Sequence, residues 1–150
     1  MHVKYRIRLL WHNCFFECSQ ISEITLPEGI EIIRSKGEEN IAEKEISMAK
    51  YLYEELSKMK NVTLFTRFPE KETHSAVISF VIGDLSGEET SFLLSEKGVA
   101  SRGGFHCSAL AHQKMNTEKR GTCRLSVGPM NDEREVLKLV GIIRELSENY

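Results

Sequence analysis

Ala76-Val77-Ile78-Ser79-Phe80-Val81-Ile82 is the stretch on which the fold turns. It is almost wholly apolar and rich in β-branched and aromatic side chains, which is the composition of a strand covered by other elements. Upstream, Val62, Leu64 and Phe65 predict a second strand over residues 62–65. A polar connection over residues 67–73, with Pro69 in it, joins the two, and strands so joined predict an antiparallel pair. Downstream, residues 99–101 and 122–127 predict two more strands.

Helical periods surround these strands. Pro27 suits the first turn of a helix and Gly37 its end, so a short helix is expected over 27–36, with Ile30 and Ile33 facing inward. Over 38–60, Ile41, Met48, Leu52, Leu56 and Met59 fall near one stripe, while Glu43, Lys44, Lys50, Glu54 and Glu55 lie largely away from it. Ser86 followed by Glu89 is a capping box that starts a helix over 86–97. Asn131 is expected to cap a last helix over 132–148, with Asp132 and Glu133 favourable at its positive end. Val136, Val140, Ile143 and Ser147 mark one side of that helix, and Leu137, Leu139 and Leu146 widen the stripe. The expected class is α+β: a small, mostly antiparallel sheet with helices packed on one face.

The 150 residues make one domain of ordinary size. Such a domain buries roughly 70% of its unfolded surface and needs no disulfide or metal staple. Lys plus Arg is 20 and Asp plus Glu is 22, a balance that argues against a nucleic-acid protein with a broad basic face. No apolar run approaches the roughly 20 residues that span a bilayer, so no membrane role is expected. Four cysteines, irregularly spaced, do not make a disulfide scaffold, and a reducing cytoplasm is the expected compartment. In the leader, Val3, Tyr5, Ile7 and Leu9 alternate with Lys4, Arg6 and Arg8, which reads as a short edge strand or a disordered leader rather than a targeting signal. His74, between a loop and a strand, is expected at the surface.

The chemistry-bearing residues gather in one place. Residues 103–121 predict a long polar connection, and loops past about 12–15 residues are usually functional or disordered. It opens with Arg102-Gly103-Gly104-Phe105-His106-Cys107. Two glycines let the backbone turn tightly or approach a ligand. Arg102 and His106 can supply positive charge beside Cys107, which favours the reactive thiolate. On the following strand Cys123, Leu125 and Val127 share one face, and Thr122, Arg124 and Ser126 share the other. Cys123 therefore reads as a core residue. Arg124 reads either as a cation able to grip a carboxylate with two parallel hydrogen bonds or as a solvated surface ion-pair partner. His106, Cys107, His112 and Cys123 could offer zinc-ligand atoms, but no paired Cys-x-x-Cys or His-x-x-x-His unit repeats, and adjacent His106 and Cys107 cannot easily both point at one ion. Cys14-x-x-x-Cys18 has no partner ligands nearby.

Ser101-Arg102-Gly103-Gly104-Phe105-His106-Cys107-Ser108-Ala109-Leu110-Ala111-His112 resembles the cysteine loop of the class V aminotransferase superfamily, in its cysteine desulfurase-like branch. Gly121-Thr122-Cys123-Arg124-Leu125-Ser126-Val127-Gly128, then Asn131, resembles the Arg-bearing strand and helix cap that follow in that family. The resemblance covers residues 24–150 and does not extend over 1–22. It implies two parts: an unassigned leader over 1–22 and, over 23–150, the C-terminal small domain of a fold type I pyridoxal phosphate enzyme.

The resemblance also implies roles. Cys107 would be the catalytic nucleophile that takes sulfur from L-cysteine as a persulfide. Arg124 would bind the substrate carboxylate, and Arg102 would help shape the site. His106 and His112 match the motif as accessory residues without an assigned role. Pyridoxal phosphate is the implied cofactor, yet no Ser-x-His-Lys element is present to hold it. The expectation is a truncated cysteine desulfurase-like domain, completed by a pyridoxal phosphate-domain chain or a homodimer partner and serving a sulfur acceptor protein. The alternatives are an inactive sulfur-carrier or interaction module and a degenerate remnant.

Overall fold

The computed structural model of the protein describes residues 26–150. The alternating stretch at Val3 to Leu9 and the Cys14/Cys18 pair lie outside the described residues. Along the chain come α1 (Leu26–Lys36), α2 (Glu38–Ser57), β1 (Val62–Leu64), β2 (Val77–Ile82), α3 (Gly87–Glu96), β3 (Arg102–Gly104), α4 (Ala109–Lys114), β4 (Thr122–Ser126) and α5 (Glu133–Asn149). The four strands form one sheet in the order β1-β2-β4-β3, and every neighbouring pair is antiparallel. This is the α+β class expected from the alternation of periods.

Strand alternation sorts the sheet into two faces. Ile78 pairs with Leu125 and Phe80 with Cys123 across β2 and β4, and all four are fully buried. Leu52 and Leu56 of α2, Leu94 of α3, and Leu139 and Ile143 of α5 close over this face in one continuous core. The opposite face presents Ser79, Arg124 and Arg102. The helix stripes hold with two exceptions. Ile30 and Leu137, expected inward, are 42% and 54% exposed, while Leu139 and Leu146 are buried as the stripe requires.

Three boundaries differ from the sequence expectation, each for a local reason. The third strand is not 99–101 but Arg102–Gly104. Val99 is spent on the core, and its N–H closes the end of α3 on the Leu94 carbonyl at 2.9 Å. The cap of α5 is Asp132, not Asn131. The Asp132 carboxylate accepts from the Glu135 N–H at 2.9 Å, and Glu135 reaches back to the Asp132 N–H at 3.2 Å. Asn131 stands one residue too early for that bond. It is buried, and its side chain accepts from the Gly128 N–H at 2.8 Å and donates to Glu135 at 2.9 Å, which holds the turn into the helix. The stretch expected as a long connection holds α4, whose capping residue, Ser108, makes no side-chain cap bond to mark the start.

The sheet and α3 meet backbone to backbone. A Cβ on Gly87 would stand 2.7 Å from the Thr122 nitrogen, and one on Gly103 would stand 2.6 Å from the Glu88 Cα. Only hydrogen fits at either point. The first turn of α3, fixed by the Ser86/Glu89 capping box, therefore lies directly on β3 and β4. Gly87→Ala is expected to cost about 1–3 kcal/mol, the scale of an overpacked core, because the obstructing atoms are backbone and cannot swing away. Urea unfolding of Gly87→Ala should show a lower midpoint. Gly98→Ala, where a Cβ meets nothing within 4 Å, separates overpacking from the left-handed strain carried by its φ of 76°.

Candidate functional site

Sheet register builds the site. Arg124 on β4 lies directly opposite Ser79 on β2 and directly opposite Arg102 on β3. The row continues just past the end of β1, where the Phe65 N–H donates to the Ser79 carbonyl at 2.9 Å. Two arginines thus face each other across one strand pair, an arrangement that like charge makes unfavourable. Neither forms an ion pair among the described residues, where the salt bridges join Lys58 and Arg144 to Glu55, Lys71 to Glu43 and Lys97 to Glu145. Arg124 is half-buried and Arg102 exposed.

After β3 the chain doubles back through two consecutive left-handed residues, His106 (φ 51°) and Cys107 (φ 60°). Non-glycine residues held there store about 1–3 kcal/mol each and persist only where surroundings over-determine them. Two histidines do so. Nε2 of His106 lies 3.0 Å from the Thr122 carbonyl, and Nε2 of His112 lies 3.0 Å from the Phe105 carbonyl. A carbonyl only accepts, so each ring carries its hydrogen on Nε2. Nδ1 of His112 then accepts from the Thr117 hydroxyl at 2.7 Å. His112 is buried, packs edge-on against the Phe105 ring at 5.1 Å, and ties the start of the loop to its end.

Under the loop lies a hollow of about 230 Å³. Phe65, Ser79 and Arg124 line it from the sheet, and His106, His112 and Met115 from the loop and α4. Arg124, His106 and His112 are thus brought together, and Arg102 sits beside Arg124. Cys107 is exposed at the turn next to His106 and does not line the hollow. Phe65 is expected from the sequence only as a strand residue, and Ser79 is not singled out there. The available signal was Ser79 itself, the one polar residue within an apolar strand.

Electrostatics separates the cysteines and corrects one expectation. Burial pushes the Cys123 thiol up to about 12, which makes it an inert core residue. Cys107 is exposed. His106 was expected to lend positive charge. Instead, burial lowers its affinity for a proton below the ordinary 6.5, with Arg124, Arg102 and His112 acting in the same direction and the Thr122 carbonyl opposing. His106 is therefore neutral near pH 7. Its Nδ1 is buried and has no hydrogen-bond partner among the described residues. No group of three or more metal-ligating side chains occurs among the described residues. His74 is half-buried, with its Nδ1 2.7 Å from the Thr73 hydroxyl.

The family model Aminotransferase class-V matches residues 18–139. The chain belongs to the class V aminotransferase family. It is 31% identical over 120 residues to a probable cysteine desulfurase of Xylella fastidiosa, covering 80% of this chain and 28% of that protein. An apo cysteine desulfurase from Thermococcus onnurineus superposes with a TM-score of 0.75 at 25% identity, over 82% of this chain and 30% of the other. A cysteine desulfurase of Escherichia coli shares the fold with a TM-score of 0.70 at 21% identity, over 81% and 29% of the two chains. The chain thus spans less than a third of the length of each of these proteins.

The hollow does not fit a covalently held pyridoxal phosphate. Among the described residues no lysine lines it, and Lys114 on α4 is exposed. No helix among the described residues is long and apolar enough to cross a membrane.

Two outcomes follow from the charges. Brief alkylation of the folded chain read by mass spectrometry should label Cys107 at least about tenfold faster than Cys123, since the thiolate is the nucleophile and Cys123 is both covered and held protonated. Equal labelling would remove the distinction. The second concerns pH. The folded state holds a proton on His106 less well than the unfolded chain does, so the unfolded chain binds more protons below about pH 6.5 and stability falls as pH drops through that range. His106→Asn, which tolerates the left-handed backbone, should flatten this part of a urea-midpoint profile between about pH 7 and about pH 5.

Proposed function

We propose that residues 23–150 supply the carboxylate-binding and sulfur-accepting side of a cysteine desulfurase-type site, with 1–22 as an unassigned leader. The observation that carries this reading is the Arg102–Arg124 pair, opposed and without an acidic partner among the described residues, one turn of chain from an exposed cysteine. An anion between the two guanidiniums converts their repulsion into attraction, and a carboxylate matches the arginine fork. Arg124, half-buried on the strand, is the anchor for the α-carboxylate of L-cysteine. Arg102 is the second, more exposed donor. Cys107 is the sulfur acceptor. His106 and His112 hold the loop that carries it.

The family resemblance implies pyridoxal phosphate for release of sulfur from L-cysteine. The described residues offer no lysine to hold it at the hollow, so it belongs to another part of the complete site: a pyridoxal phosphate-domain chain or a homodimer partner. A sulfur acceptor protein would then unload Cys107, and the expected compartment is the cytoplasm. A sulfur-carrier role needs only the residues described. The Cys107 thiolate attacks the outer sulfur of a persulfide, the donor's S–S bond breaks, and the donor leaves as a thiolate. No oxidant enters and no charge is gained or lost.

Persulfide transfer tests the reading on the isolated chain. Cysteine persulfide, which carries a carboxylate, should load one extra sulfur onto Cys107 at least about tenfold faster than an uncharged alkyl persulfide, the scale of one charge-assisted hydrogen bond. Arg124→Ala should abolish the preference, and Cys107→Ser should abolish loading. Equal rates with both donors would overturn the carboxylate role.

A further inference from the structure

His106 has one ring nitrogen satisfied and one stranded. Nε2 is engaged with the Thr122 carbonyl, while Nδ1 is buried and without a partner. A buried polar atom left unpaired is costly, so it marks a place where a ligand or a proton belongs. The ring lines the same hollow as Arg124, and Arg102 lies across the strand pair from Arg124.

With the hollow free of an anion, a proton on Nδ1 has no acceptor and joins a positive neighbourhood. The charged and titratable groups around the ring come from every adjoining element: Arg124 on β4, Arg102 on β3, His112 on α4 and neighbouring Cys107. Arg124, Arg102 and His112 all disfavour the added charge. Glu88 on α3 approaches the loop at Gly104, where a Cβ would lie 3.4 Å from its Oε1, yet it is not among the charges acting on His106.

We infer that His106 is the proton-coupled residue of this hollow: a carboxylate held by Arg102 and Arg124 is bound together with a proton on Nδ1 of His106. The carboxylate offsets both arginine charges and brings an acceptor into the hollow that the His106 ring lines. By linkage, the proton strengthens anion binding as much as the anion strengthens proton binding. Release of the anion returns the proton. His106 is a binding residue in this scheme and not a nucleophile or its base. The inference rests on the carboxylate-binding reading above.

The test uses the full chain with propionate, a carboxylate that has neither amine nor thiol. Long-range nitrogen NMR reads the protonation of each imidazole nitrogen directly, and chemical-shift titrations at about pH 5.5, 6.5 and 7.5 read the affinity. Propionate should shift Nδ1 of His106 from the unprotonated to the protonated signature while His112 keeps its own. Affinity should fall by up to about tenfold per pH unit above the free His106 titration. His106→Asn should bind with little dependence on pH. Binding that Arg124→Gln removes but that does not vary with pH, or that protonates His112 in place of His106, overturns the proton coupling and leaves the carboxylate reading standing. Absence of propionate binding to the native chain at every pH overturns both.

Discussion

The contact on which the other elements depend is between backbones: the first turn of α3 laid directly on β3 and β4 at Gly87 and Gly103. Side chains at either position would hold the helix off the sheet. Because α3 is seated there, β3 can pair with β4 although α3 and a loop separate it from its predecessor β2 and the strand order is not sequential. Once β3 is paired, alternation leaves no freedom. Gly103 must lie on the helix side opposite Cys123, so Arg102 must lie on the other side opposite Arg124. The helix contact thus sets the arginine pair on the face away from the main core.

That pair is unfavourable by itself, and so is the turn after it. Two left-handed residues and one unpaired imidazole nitrogen lie at the turn of Cys107, beside the two guanidiniums opposed across β3 and β4. Strain of this kind needs support from outside it. The support is the pair of histidine-to-carbonyl bonds and the Thr117 hydroxyl, which together fasten both ends of the loop to β4 and α4. The same bonds fix the tautomers, and fixed tautomers decide which nitrogen is left over. Geometry and charge at the site therefore have a single origin in how the loop is tied down.

Much of this was legible from residues alone, for an identifiable reason. A strand has a side-chain period of two, so Cys123 and Arg124 had to face opposite ways wherever that strand lay, and the core role of the one and the polar role of the other could be read in advance. The capping box at Ser86 and Glu89 is equally local. So is the motif that places the chain in its family. Local signals compete at the start of α5: Asn131 and Asp132 are both good caps, and only the reach to the Glu135 N–H chooses between them. Val99 has the propensity of a strand residue, but the core claims it first.

The sequence by itself determined the α+β class, the antiparallel β1–β2 hairpin, the two faces of β4 and the cluster of Arg102, His106, Cys107, His112 and Arg124 along the chain. These depend on periods and spacings within a few residues. Only the folded chain sets Arg102 opposite Arg124, brings Ser79 and Phe65 to one hollow with Arg124, and leaves Nδ1 of His106 without a partner among the described residues. Each is a relation between segments far apart in sequence, created by register and burial, and neither register nor burial is carried by any one segment.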